Sequence, residues 1–229
     1  MHDTVRAGLI GLLFCSVALG ADDTEISKGW KNLCKKNSNL GLNGERVDQT
    51  LSRCRKNGIT LQETDALLCP VSTARSESLP VESILNKIEE GLAKRIDAAQ
   101  LTAAVEIRLN NQRRAARLIP SGAGGAVRQR LIIQVAMALE SGLPDEVLKE
   151  LFERPGGFRY GRVIYVVEMG ETLQLAGLNP QNTKQILADC LDRNLNRYEM
   201  IRVVDYLLAE HRKGRDFNAV HDGLWLRSE

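Results

Sequence analysis

Residues 173–180 read Leu173-Gln174-Leu175-Ala176-Gly177-Leu178-Asn179-Pro180, and their order prescribes a backbone event. Glycine enters the left-handed conformation that closes a helix at little steric cost, and the apolar residue after it folds back onto the turn just ended. Asn179 then offers a side-chain oxygen to the free amides of a new helix. Pro180 suits the first helical position, where no amide bond is lost. Helix, tight turn and helix follow from these few residues.

The same punctuation recurs at Gly58-Ile59, Gly91-Leu92 and Gly142-Leu143, and more weakly at Gly214. Helix-start signals come next: Thr60-x-x-Glu63 is a capping box, Asp97-x-x-Gln100 a looser one, and Asp145 a capping residue. Between them, Ile84, Leu85, Ile88 and Leu92, then Leu101, Val105, Ile107, Leu109 and Leu118, fall at helical spacing with charges between. Gly58 to Gly91 spans 33 residues, Gly142 to Gly177 spans 35 and Gly177 to Gly214 spans 37, the length of a stacked helix pair. The tetratricopeptide pattern of Trp, Leu-Gly, Tyr and Ala-x-x-x-Phe is absent. The expected fold is all-α: tandem antiparallel helical hairpins, αα-repeat-like, in about two related halves, with structural turns at Gly58, Gly91, Gly142, Gly177 and Gly214.

The halves fall at residues 46–119 and 126–222, joined by the Gly-rich segment 120–125, whose Pro-Ser-Gly-Ala-Gly-Gly texture breaks the helical pattern. That segment lacks the Gly-Lys-Ser/Thr ending of a phosphate loop, so a flexible connector is expected. A Cys-containing segment, 21–45, precedes the halves and a tail, 223–229, follows. Val163-Ile164-Tyr165-Val166-Val167 is β-branched enough for a strand, but its pattern runs on unbroken towards Gly177 and no second strand offers a pairing edge. A buried helix is expected there.

Composition sets the class. The chain has 229 residues, 43% apolar and 26% charged, with 31 Lys and Arg against 29 Asp and Glu. That is an ordinary globule, not a disordered or fibrous chain. A net charge of +2 gives no dominant field to draw it onto nucleic acid, and 4% aromatic content supplies few platforms for stacked bases. Arg6 precedes an apolar run from Ala7 to Leu19, and Ala18-Leu19-Gly20 offers small residues where a signal peptidase cuts, so residues 1–20 read as a cleaved signal peptide. Phe14 before Cys15 spoils a lipidation site. The run 131–139 is half the length needed to cross a bilayer and ends at Glu140, so no transmembrane span is expected and the product is exported, periplasmic or extracellular.

Export alters the reading of the cysteines. With Cys15 removed, Cys34, Cys54, Cys69 and Cys190 remain; the first three lie close together and point to a disulfide staple near the N-terminus, with a long-range bridge to Cys190 left open. No Cys-x-x-Cys occurs, and His211 and His221 are the only histidines after His2, so no metal and no cofactor are expected.

Glu140-Ser141 resembles the Glu-Ser pair of lytic transglycosylases, exported helical enzymes in which one glutamate acts as acid and then base on peptidoglycan. The resemblance covers under ten residues and the family's downstream Gly-Leu-Met-Gln motif is missing. It makes Glu140 the weak catalytic candidate, and Gly142-Leu143 already has a structural cause. Glu168 and Glu171 stand one helical turn apart but lack the Glu-x-x-His of di-iron bundles; Glu168 is expected in solvent or paired with Arg162 or Arg159. The strongest charge feature is basic: Arg108, then Arg113, Arg114, Arg117, Arg128 and Arg130, the last five forming a candidate surface for an anionic partner. Balancing acids at Glu82, Glu89, Glu90 and Glu106 offer a plain solvated face instead. Neither Gly-x-Ser-x-Gly nor His-Glu-x-x-His is present. Trp30 and Trp225 are placed to plug the ends of a helical stack.

The expected function is an exported, non-catalytic helical-repeat protein, an interaction module for an envelope protein or an anionic envelope component. The alternatives are a peptidoglycan-lytic enzyme using Glu140 and a carrier of an apolar ligand held between helices.

Overall fold

The computed structural model of the chain describes residues 22–39, 44–153 and 160–226. The expected signal peptide, Arg159 and the last residues of the expected tail lie outside them. Eleven α-helices, and no strand among the described residues, make up the fold. In order they are α1 (Asp22–Asn39), α2 (Gly44–Lys56), α3 (Leu61–Ser76), α4 (Val81–Ala93), α5 (Ala98–Leu118) and α6 (Gly125–Glu140). Then come α7 (Asp145–Glu153), α8 (Tyr160–Leu175), α9 (Pro180–Asp192), α10 (Arg197–Arg212) and α11 (Phe217–Leu226).

The β-branched run is the middle of α8, where Val163, Ile164, Val166 and Val167 are all buried. Helix α8 packs on α6, α7, α9 and α10, so its buried apolar residues find partners on several sides while Glu168 and Thr172 stay exposed on the remaining one.

Seven turns share one hydrogen-bond scheme, in which the residue after the turn donates to the carbonyl five positions back and the turn residue to the carbonyl three positions back. Leu178 N–H reaches Leu173 O at 3.1 Å and Gly177 N–H reaches Gln174 O at 2.9 Å. Equivalent bonds close the turns at Gly58, Ser78, Arg95, Gly142, Asn194 and Gly214. All seven turn residues have positive φ, from 55° at Arg95 to 95° at Gly142. Three of them are not glycine: Ser78, Arg95 and Asn194.

Gly91 differs from the expectation. It lies inside α4, buried, and the chain turns four residues later at Arg95. A Cβ at Gly91 would overlap the Leu101 side chain on α5, so glycine serves there to let the helices approach closely and not to set the backbone conformation.

Each substantial helix contact joins a helix to the next or the next but one: α1 to α3, α2 to α4, α3 to α5, α5 to α7, α6 to α8, α7 to α9 and α8 to α10. One continuous hydrophobic core runs through them, from Leu33 in α1 to Leu224 in α11. The Gly-rich segment sits between α5 and α6, which pack along each other; its Ala123 is buried, as is Ile119 before it. Leu67, Ile84, Leu131, Leu148 and Leu173 are among the fully buried side chains, each contributing about 1.5–3 kcal/mol of transfer free energy. Trp30 and Trp225 are partly buried against the core in the first and last helices.

Candidate functional site

Polar cross-links follow the contacts between next-but-one helices. Many join residues 31 to 37 positions apart, one helix pair along the chain, as in Arg114 with Asp145, Arg113 with Glu77 and Gln134 with Glu171.

Glu140 ends α6 and is gripped by Arg108 of α5: Nε donates to Oε1, and Nη2 donates to Oε2 at 2.9 Å. Lys87 of α4 lies 3.6 Å from Oε2, and Arg108 Nη1 donates to Ser83 Oγ at 2.9 Å. The Arg108 and Glu140 side chains are 10% and 16% exposed. A general acid needs a carboxyl oxygen that faces substrate and carries a proton; here both oxygens face cations. The arrangement is a buried ion pair tying α4, α5 and α6 together.

On α8, Glu171 is half-buried and accepts from Gln134 Nε2 of α6 at 2.7 Å. Burial pushes its carboxyl above the usual glutamate range. The Gln134 bond and the Arg108 charge oppose that rise, while Glu168 and Glu140 add to it. Glu168 is exposed and pairs with no cation among the described residues; Arg162 donates instead to Asn194 Oδ1.

The basic surface is largely self-neutralised. Arg113 makes a two-pronged contact with Glu77 at 2.8 and 2.6 Å, which holds that carboxyl below its ordinary range. Arg114 meets Asp145 at 2.6 Å. Arg128 donates to the carbonyls of Ala116, Ile119 and Pro120, so it caps the exposed C-terminal end of α5. Only Arg117 and Arg130 of the five project exposed side chains with no ion pair among the described residues. The structure therefore does not bring the five arginines together as one open cationic face.

Among the described residues no two cysteines are bonded. Cys34 donates to Asp48 Oδ1 at 2.6 Å, Cys69 is exposed on α3, and Cys54 and Cys190 are buried in α2 and α9. Cys190 belongs to a helix packed on α7 and α8, away from the three that carry the other thiols. Burial pushes the Cys54 thiol up to about 11 and the Cys190 thiol up to about 12. The two late histidines do not converge: His221 Nε2 lies 2.6 Å from Asp189 Oδ2 beneath Trp225, whereas His211 lines a cleft with Gly177 and Arg215. No group of three His, Cys, Asp or Glu side chains is placed to hold a metal among the described residues. Nor is any described helix long and apolar enough to cross a membrane.

One feature escaped the sequence reading. A groove between α8 and α10 is lined by Tyr165, Met169, Thr172, Met200, Ile201 and Val204, together with the charged residues Glu168, Asp205 and Arg197. Ile201 is 47% exposed. Its signal in the sequence is the run Met200-Ile201-Arg202-Val203-Val204, which places apolar residues on more of α10 than one-sided burial requires.

Compared with known proteins, the chain matches no protein-family model, no curated protein and no solved structure.

Proposed function

We propose that the protein is an exported, non-catalytic scaffold of the cell envelope, built of tandem antiparallel helical hairpins, that binds another macromolecule along an open face. The observation that carries this reading is the one-dimensional contact pattern, in which every substantial contact joins helices one or two apart along the chain. Such a stack buries one face of each unit and leaves another in solvent, which is how helical solenoids build extended binding surfaces. Two stretches of equal length support the hairpin reading: Gly58 to Arg95 and Gly177 to Gly214 each span 37 residues and hold an intermediate turn, at Ser78 and Asn194. The apolar run before Ala18-Leu19-Gly20 supports export. The enclosure of Glu140 by Arg108 and Lys87 weighs against the lytic alternative.

The test is native pull-down from the envelope fraction with a C-terminally tagged full chain, combined with a peptidoglycan-release assay. A specific partner recovered by wild type, with no lytic activity, is the expected result. Lytic activity that Glu140→Gln abolishes without loss of helical circular dichroism would overturn the proposal.

A further inference from the structure

The polar rungs between next-but-one helices are complementary in most of the stack. Arg46 of α2 meets Glu82 and Glu89 of α4 at 3.0 and 3.3 Å. Lys87 of α4 meets Glu140 of α6, and Gln134 of α6 meets Glu171 of α8. Between α8 and α10 this complementarity stops. Glu168 and Asp205, 37 residues apart, both line the α8–α10 groove, and neither forms an ion pair among the described residues. The groove's one basic residue, Arg197, lies with its guanidinium 4.8 Å from the centre of the Tyr165 ring.

Apart from its charged residues and Thr172, the lining of the groove is apolar or aromatic. Met169 and Met200 are buried beneath it, and Tyr165, Ile201 and Val204 line it. Methionine side chains are unbranched and polarisable, so such a floor adapts to differently shaped apolar groups. The lining runs from Tyr165 to Thr172 on α8 and from Arg197 to Asp205 on α10, about two helical turns or roughly 10 Å. That length accommodates apolar residues at i, i+3 or i+4, and i+7 of a helix lying between two helices of the scaffold. The unpaired carboxylates favour cationic residues flanking that stripe and oppose an anionic occupant such as a phospholipid headgroup.

We propose that the α8–α10 groove receives a basic amphipathic helix of a partner protein, with its apolar stripe on Met169, Met200 and Ile201 and its Lys or Arg residues at Glu168 and Asp205. This rests on the scaffold reading above and names the chemistry of the partner.

The probe is a fluorescein-labelled model peptide of Leu and Lys in amphipathic helical order, titrated into the full chain and followed by anisotropy. Peptides with Glu in place of Lys, and with the Leu and Lys order scrambled, serve as comparisons. The expected result is binding at about micromolar affinity that weakens with salt, with little binding of either comparison peptide. Glu168→Lys/Asp205→Lys should weaken binding by about tenfold or more, and Ile201→Asp should do likewise, whereas Glu146→Lys on α7 should leave it unchanged. All four positions are exposed, so circular dichroism and melting should match wild type.

Absence of peptide binding, equal affinity for the double charge-reversal variant, or preference for the Glu peptide would each overturn the groove assignment. So would retention on phosphatidylglycerol vesicles by a protein that ignores the peptide. The scaffold reading fails separately: an envelope partner captured equally by wild type and by the double variant removes the groove and leaves the scaffold standing.

Discussion

Replacing Arg95 with glycine should stabilise the protein, although it deletes a long side chain. Arg95 holds φ at 55° in the turn between α4 and α5 and forms no side-chain hydrogen bond or ion pair among the described residues. The left-handed conformation costs a residue with a Cβ about 1–2 kcal/mol. Glycine removes that cost but returns about 0.5–1 kcal/mol through the greater freedom of its unfolded chain. The net expectation is stabilisation by about 0.5–1 kcal/mol, or a rise in Tm of about 1–4 °C for a chain of this size. Ser78→Gly, at φ 57°, should behave alike. Asn194→Gly should not, because asparagine tolerates this conformation and its Oδ1 accepts a bond from Arg162 of α8. In the opposite direction, Gly177→Val should cost more than about 1 kcal/mol, since a β-branched residue is poorly tolerated at φ 87°. Gly91→Ala should also destabilise, by about 0.5–2 kcal/mol, since overlap with Leu101 at ordinary helical φ costs about 1–3 and the better helix former returns about 0.5–1. Urea midpoints and thermal melts of the five variants provide the measurement. A destabilised Arg95→Gly together with a wild-type-like Gly177→Val would refute the assignment of these turns.

The buried pair offers a second test. Arg108→Ala leaves Glu140 with only the more distant Lys87 and should cost about 3–5 kcal/mol, while Arg108→Met/Glu140→Leu, which removes both charges, should cost markedly less; the double-mutant cycle is read by urea unfolding. Glu171 supplies a pH dependence. Because its folded-state carboxyl is raised, its favourable contribution is present below the ordinary glutamate value of about 4.3 and is lost as pH rises through the folded value. Glu171→Gln should therefore be more stable than wild type at pH 7, with the difference shrinking towards pH 4, as unfolding curves at both pH values would report. For the thiols, a maleimide reagent should label Cys69 rapidly in the native protein but reach Cys54 and Cys190 only after unfolding; mass spectrometry of partly labelled protein distinguishes these outcomes.

The all-helical class was legible because it depends on local chemistry that a short window contains. Gly177-Leu178-Asn179 states a turn, an apolar clasp and a cap in three residues. The full rule is visible only when Ser78-Leu79-Pro80, Arg95-Ile96-Asp97 and Asn194-Leu195-Asn196 are set beside it. In each, the left-handed residue stands two positions before the N-cap of the next helix, as Gly58 stands before Thr60. Gly91 stands six before the Asp97 cap and so fails the rule, even though the apolar Leu92 follows it. Glycine alone was the wrong marker, because the bonds of the turn and the apolar clasp can hold Ser, Arg or Asn in a conformation that each adopts at some cost. Spacings measured between glycines consequently skipped every second turn in two parts of the chain.

Charges were harder to read for a geometric reason. Along one helix, electrostatic neighbours are three or four residues apart, and on that scale Arg113, Arg114 and Arg117 look like a cationic stripe. In the fold, Arg113 and Arg114 instead look outward to Glu77 and Asp145, 36 and 31 residues away, so two members of the stripe are neutralised by distant residues the local pattern does not mention. Glu140 is subject to the same effect at a separation of 32. Once that spacing is known, the informative position is not the one richest in charge but the one whose counterpart fails to match. Glu168 opposite Asp205 is such a position. A like-signed, unpaired rung leaves two solvated carboxylates over buried methionines, and a cationic helix with an apolar face would compensate both features at once.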